Sequence, residues 1–179
     1  MSRVLALGTS MNSQSINEKL AAYAASLVPD AVVEQVTPRT FPLPLYNQDL
    51  ERESGIPQPA HDFLAAIASA DALIISFAEH NGSYTAAFKN LFDWASRAEQ
   101  KVFQGKPILL LSTSPGGRGG ATVLAQAVGM APRFNGVVVG SLAIPRAGQS
   151  LDPATGRVLD QALSTQLAAL VLALNGAMG

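Results

Sequence analysis

Between Ala72 and Ala95 the chain changes its period. An apolar run, Ala72 to Phe77, ends in the polar cluster Glu79-His80-Asn81-Gly82-Ser83. Beyond it Tyr84, Phe88, Leu91, Phe92 and Ala95 recur at three- and four-residue spacing. The switch predicts a buried strand, a tight loop, and a helix over Tyr84 to Ser96 with Ser83 as its N-cap. Open α/β sheets keep their ligands at the carboxyl ends of their strands, where this loop falls. Gly8 to Asn17 and Ser112 to Gly120 repeat the design. Three such loops on one sheet edge make a single site.

The rest of the chain alternates in the same way. Val4 to Leu7, Ala31 to Val36, Ile108 to Leu111 and Val137 to Leu142 read as strands. Helical periods follow near Ser15 (Ile16, Leu20, Tyr23, Ala24, Leu27), over Ala60 to Ala70, over Ala121 to Met130, and within Ala154 to Leu174. Alternation of this kind specifies a doubly wound parallel sheet, and five strands suit the order 2-1-3-4-5. Thr37 to Pro59 holds five prolines and reads as an irregular segment packed over an edge of the site. The 179 residues form one domain, 1–179.

Composition excludes several functions. A net charge of -1 with no basic run argues against nucleic acid as a main partner. The absence of cysteine removes thiol catalysis and thiolate metal sites. The apolar run after Met1-Ser2-Arg3 is too short for a signal peptide or a membrane span, so a cytoplasmic protein is the expectation.

The first loop, Gly8-Thr9-Ser10-Met11-Asn12-Ser13-Gln14-Ser15-Ile16-Asn17, lacks a dinucleotide fingerprint and a P-loop ending. It offers hydroxyls, amides and a helix N-terminus to a phosphate. On this loop alone a plain helix-capping turn is an equal reading. In the second loop Gly82 lets backbone approach a flat ligand and Asn81 offers donors and an acceptor; a turn that only needs their dihedrals is the alternative. His80 reads as an exposed or structural histidine ahead of a catalytic base, and Glu79 equally as a surface or subunit-contact charge. A Ser83–His80 hydrolase pair has no elbow motif around it. In the third loop Gly116, Gly117, Gly119 and Gly120 surround Arg118 and expose N–H groups. Arg118 is either solvated or a contact to a second anionic ligand.

Gly82-Ser83-Tyr84, Lys89-Asn90, Asp93-Trp94-Ala95-Ser96-Arg97 and Ser114-Pro115-Gly116-Gly117, with Leu45-Tyr46-Asn47-Gln48-Asp49 upstream, resemble the NADPH-dependent FMN reductase family. The resemblance runs from Val4 to about Leu142. It implies a flavodoxin-like three-layer sandwich, with helices on both faces of the sheet. It implies FMN as cofactor and NAD(P)H as co-substrate, with hydride passing to a quinone, flavin, azo compound or metal oxyanion. Gly8, Thr9, Ser10, Ser15, Ile16 and Asn17 match the loop that holds the FMN phosphate. Glu79, His80, Asn81, Gly82 and Ser83 match the loop along the ring and ribityl chain. Ser112, Ser114, Pro115, Gly116 and Gly117 match the loop at the pyrimidine edge. No side chain is then catalytic and no metal is needed, because the flavin carries the chemistry. Many relatives carry an Arg where this chain has Met11, and Pro-Glu-Tyr-Asn where it reads Ala78-Glu79-His80-Asn81. Two alternatives follow: a flavodoxin-like electron carrier without turnover, or a member with weakened FMN binding. The resemblance also implies a dimer or tetramer; the helix of Phe88, Phe92 and Trp94 is the candidate contact surface, with plain core packing, above all of Phe88, as the equal reading.

Overall fold

A computed structural model describes residues 1–178. The elements run β1 (Arg3–Gly8), α1 (Ile16–Ser26), β2 (Val32–Val36), a 3-10 turn (Pro38–Thr40), α2 (Gln48–Ser54), α3 (Gln58–Ser69), β3 (Ala72–Phe77), α4 (Ala86–Ala98), β4 (Pro107–Thr113), α5 (Ala121–Met130), a second 3-10 turn (Ala131–Phe134), β5 (Val137–Ile144), α6 (Ala147–Ser150) and α7 (Gln161–Ala177). The five strands are parallel and lie in the order β2-β1-β3-β4-β5, as the alternation predicts.

The central strands are apolar on both faces because helices cover both. Leu5, Leu7, Leu73, Ile75, Phe77, Ile108 and Leu110 face Phe63 and Ile67 of α3 and Phe88 and Leu91 of α4. The alternate residues Val4, Ala6, Ala72, Ile74, Leu109 and Leu111 face Leu20 and Ala24 of α1 and Leu167, Val171 and Leu174 of α7. Each fully buried Leu or Ile contributes about 2 kcal/mol through the area it removes from water. Truncating one to Ala costs about 2–5 kcal/mol, since the sheet cannot close the cavity.

Register sets the strand ends level. Gly8 lies opposite Ser76, and Phe77 opposite Ser112. The loops after β1, β3 and β4 therefore leave the sheet side by side.

Three expectations need correction. The segment 37–59 is not wholly irregular, since it contains α2, capped by Asn47. α2 buries none of its residues, so no apolar period announced it. α4 starts at Ala86 with Thr85, not Ser83, as its N-cap; the Phe88 N–H donates to Thr85 Oγ1 at 3.2 Å. Phe88, Phe92 and Trp94, the side chains expected to mark α4 as a contact surface, are instead buried inside the subunit, as the core-packing alternative has it. Trp94 Nε1 donates to the Pro44 carbonyl at 2.8 Å, and Asn90 Nδ2 donates to it at 2.9 Å. Those residues clamp the proline-rich segment onto α4.

Candidate active site at the strand tips

In the first loop the flanks turn inward and the tip, Met11 to Gln14, is exposed. Thr9, Ser10, Ser15 and Asn17 are buried. Ser15 caps α1 by accepting the Glu18 N–H at 3.3 Å. Asn17 is a strut across three elements. Its Oδ1 accepts from Ser76 Oγ at 2.8 Å and from the Thr113 N–H at 3.1 Å, and its Nδ2 donates to the Thr113 carbonyl at 3.1 Å. The side chain expected to meet a phosphate is thus committed to β3 and β4. Thr9 Oγ1 accepts the Ala78 N–H at 3.0 Å, and Thr85 Oγ1 donates to the Thr9 carbonyl at 2.6 Å. Those two bonds join the first loop to the second.

What the first loop presents is backbone. Among the described residues, the N–H groups of Ser10, Met11, Ser13, Ile16 and Asn17 make no hydrogen bond within the protein. Ile16 and Asn17 open α1, so their amides also carry the positive end of its dipole. Gly8 is required by packing: a Cβ there would lie 2.4 Å from the Cα of Glu18.

The second loop closes on itself. His80 and Ser83 exchange backbone hydrogen bonds at 3.0 and 3.1 Å, with Asn81 at φ 51° and Gly82 at φ 75° between them. That is a two-residue turn of the Asn-Gly kind, which requires the positive φ both residues adopt. Glu79 is half-buried and hydrogen-bonded within the subunit. Its Oε2 accepts the Val123 N–H at 2.9 Å in the first turn of α5, which ties the second loop to the helix behind the third. A carboxylate at a helix N-terminus contributes about 0.3–1 kcal/mol. Ser83 Oγ donates to Gln126 Oε1 at 3.1 Å on the same helix. His80 and Asn81 are exposed. Burial pushes the Tyr84 phenol up to about 12, so it stays neutral at physiological pH.

The third loop is shorter than expected, because Ser112 and Thr113 complete β4. Ser112 Oγ donates to the Gly119 carbonyl at 2.8 Å. The Ser114 and Gly116 carbonyls accept the Ala147 and Arg146 N–H groups, both at 3.0 Å. Pro115 to Arg118 stand exposed between these anchors, and a Cβ at Gly117 would meet nothing within 4 Å.

Sequence reasoning missed Thr85, Ser76 and Arg39. Thr85 was detectable, since it stands three residues before Phe88, where the apolar face of α4 begins. Ser76 is the one hydroxyl in a buried strand, which demands a partner. Arg39 carried no local signal.

An apolar cavity of about 240 Å³ lies between α4 and α5, lined by Phe88, Phe92, Met130 and Phe134 among others. It shares Tyr84 with the segment after the second loop and includes no residue of the first or third. A groove of about 300 Å³ runs beside the first loop, between Met11, Arg39 and Leu43 and the α4 residues Ala87 and Asn90.

The arrangement suits FMN. Free amides at the start of α1 fit a phosphomonoester, which neutral donors hold through charge-assisted bonds. The exposed glycines of the third loop let backbone reach a flat ring without a Cβ between.

Comparisons with known proteins agree. The family model for NADPH-dependent FMN reductases matches residues 2–149. The quinone reductase of Escherichia coli is 30% identical over 169 residues, covering 89% of this chain and 86% of that protein. A 2-hydroxy-1,4-benzoquinone reductase of a Burkholderia species is 41% identical over 119 residues, 65% of this chain and 62% of that one. The flavoenzyme NAD(P)H:(acceptor) oxidoreductase FerB of Paracoccus denitrificans superposes with a TM-score of 0.77 at 26% identity, over 99% of this chain and 97% of the other. The chain belongs to the NADPH-dependent FMN reductase family, and it is an oxidoreductase that uses FMN and NAD(P)H.

Proposed function

We propose that the chain reduces a quinone at the expense of NADH or NADPH, with flavins, azo compounds and metal oxyanions as further acceptors. The single observation that carries this reading is the convergence of three strand-tip loops whose free groups are backbone amides. Quinone stands first among acceptors because the similar E. coli and Burkholderia proteins are named for quinones.

Bound FMN supplies the hydride chemistry. The chain's own residues bind and orient. In this reading Ser10, Met11, Ser13, Ile16 and Asn17 direct their N–H groups at the phosphate. The Asn81-Gly82 turn and the Gly116-Gly117 backbone flank the ring. Glu79 ties the second loop to α5 through the Val123 N–H. His80 lies at an exposed turn, where it meets the incoming co-substrate or acceptor. The same reading has the protein self-associate into a dimer or tetramer and work in the cytoplasm, without nucleic acid or membrane as partner.

The test is spectroscopic. Purified protein is yellow or becomes so with added FMN, NADH or NADPH bleaches it without oxygen, and benzoquinone restores the colour faster than an azo dye or chromate does. Protein that stays colourless after FMN addition overturns the site assignment. An azo dye or chromate that outpaces benzoquinone overturns the acceptor order. Light scattering at working concentration reports the oligomer, and a clean monomer removes that part.

A further inference from the structure

We propose that Arg39 is a positioning residue for the phosphate loop, a cation that shapes the anion site from outside without touching the anion. The inference rests on the reading that the first loop holds the FMN phosphate.

Residues 8–17 contain no lysine or arginine. A cation reaches the loop from the 3-10 turn after β2. Arg39 Nη1 donates to the Ser10 carbonyl at 3.3 Å and to the Asn12 carbonyl at 2.9 Å, while Nη2 donates to Glu18 Oε2 at 2.7 Å. The turn that carries it is itself fixed. Thr37 Oγ1 accepts the Arg39 N–H at 3.2 Å, and the Thr37 N–H donates to Thr40 Oγ1 at 3.1 Å. The Arg39–Glu18 pair is about two-thirds buried, with side-chain exposures of 31% and 29%.

Peptide geometry gives this contact a consequence. The loop has no cis peptide, and in a trans peptide the N–H points opposite to the C=O. Drawing the Ser10 and Asn12 carbonyls toward one guanidinium therefore turns the Met11 and Ser13 N–H groups to the other side of the loop. Those are two of the five amides left free. The planar fork of Arg can serve two carbonyls and a carboxylate together, which an ammonium on a flexible stem does less well. Arg39 also offsets the Glu18 carboxylate, a negative charge in the first turn of the helix that would receive the phosphate.

The experiment compares FMN with riboflavin, which lacks the phosphate, by quenching of flavin fluorescence on full-length protein. Wild type binds FMN more tightly than riboflavin. Arg39→Gln weakens FMN by roughly tenfold, the loss expected for about one charge-assisted interaction, and leaves riboflavin within about twofold. Arg39→Lys lies between, at roughly threefold for FMN. A urea midpoint on each protein confirms folding, and if Arg39→Gln does not fold the lysine variant carries the test. Equal weakening of both ligands, or no weakening of FMN, overturns the inference. Wild type that binds FMN and riboflavin alike overturns the phosphate reading beneath it instead.

Discussion

In the first loop Thr9, Ser10, Ser15 and Asn17 are buried, while in the third Pro115 to Arg118 are all exposed. The two loops leave the tips of β1 and β4, on either side of β3, and are held by different means. The first is stitched through its side chains: Asn17 to β3 and β4, Thr9 to the second loop. Its buried side chains are engaged by the scaffold, while Met11 to Gln14 are exposed and five of its amides are left free. The third is held through its main chain: the Ser114 and Gly116 carbonyls accept from Ala147 and Arg146, the Gly119 carbonyl accepts from Ser112 Oγ, and Gly119 packs against β5. Its tip carries few side chains. A phosphate site gains from rigidity, because amides fixed before binding lose little entropy on binding. A surface for a flat ring gains from bareness, which glycine provides at a cost in chain entropy.

Substitutions can break this contrast, and the largest effect belongs to the first loop. Gly8→Ala places a methyl 2.4 Å from the Glu18 Cα, so backbone must move. We expect a loss of about 3 kcal/mol in urea unfolding, with FMN binding abolished in titration. Asn17→Ala comes next. It strands the Ser76 hydroxyl and the Thr113 amide, for about 2–3 kcal/mol, and urea unfolding reads it directly. Glu79→Gln keeps an acceptor for the Val123 N–H but removes the charge from the α5 N-terminus. About 0.5–1 kcal/mol is expected in a thermal melt at low salt, shrinking as salt rises. Gly117→Ala closes the series. Its Cβ meets nothing, so stability holds within about 0.5 kcal/mol while ring binding weakens. If Gly117→Ala destabilised as Gly8→Ala does, the contrast between the loops would be lost.

The sheet order was legible because buried parallel strands and their covering helices each write a local period. The loops were legible as places, less so as assignments of individual side chains. Asn17 finds Ser76 59 positions away and Thr113 96 away, and no window of sequence brings them together. Arg39 reaches back 29 and 27 residues to the first loop. The glycine run of the third loop divides in a way its spelling hides. Gly119 and Gly120 have positive φ, and a Cβ on Gly119 would meet the Ile144 backbone at 2.5 Å, whereas Gly116 and Gly117 are open. The start of α4 was placed two residues early because Ser83 and Thr85 are both competent caps, and only the packing of Phe88 chooses between them.

The frame under the site is built from Asn17, Thr9, Ser76, Thr85, Ser112 and Thr113, all of them neutral amides or hydroxyls. None of these groups titrates near neutrality, and the chain has no thiol to oxidise. The only sulfur in the chain is in its four methionine thioethers, so a quinone, the acceptor proposed above, meets no thiol to alkylate.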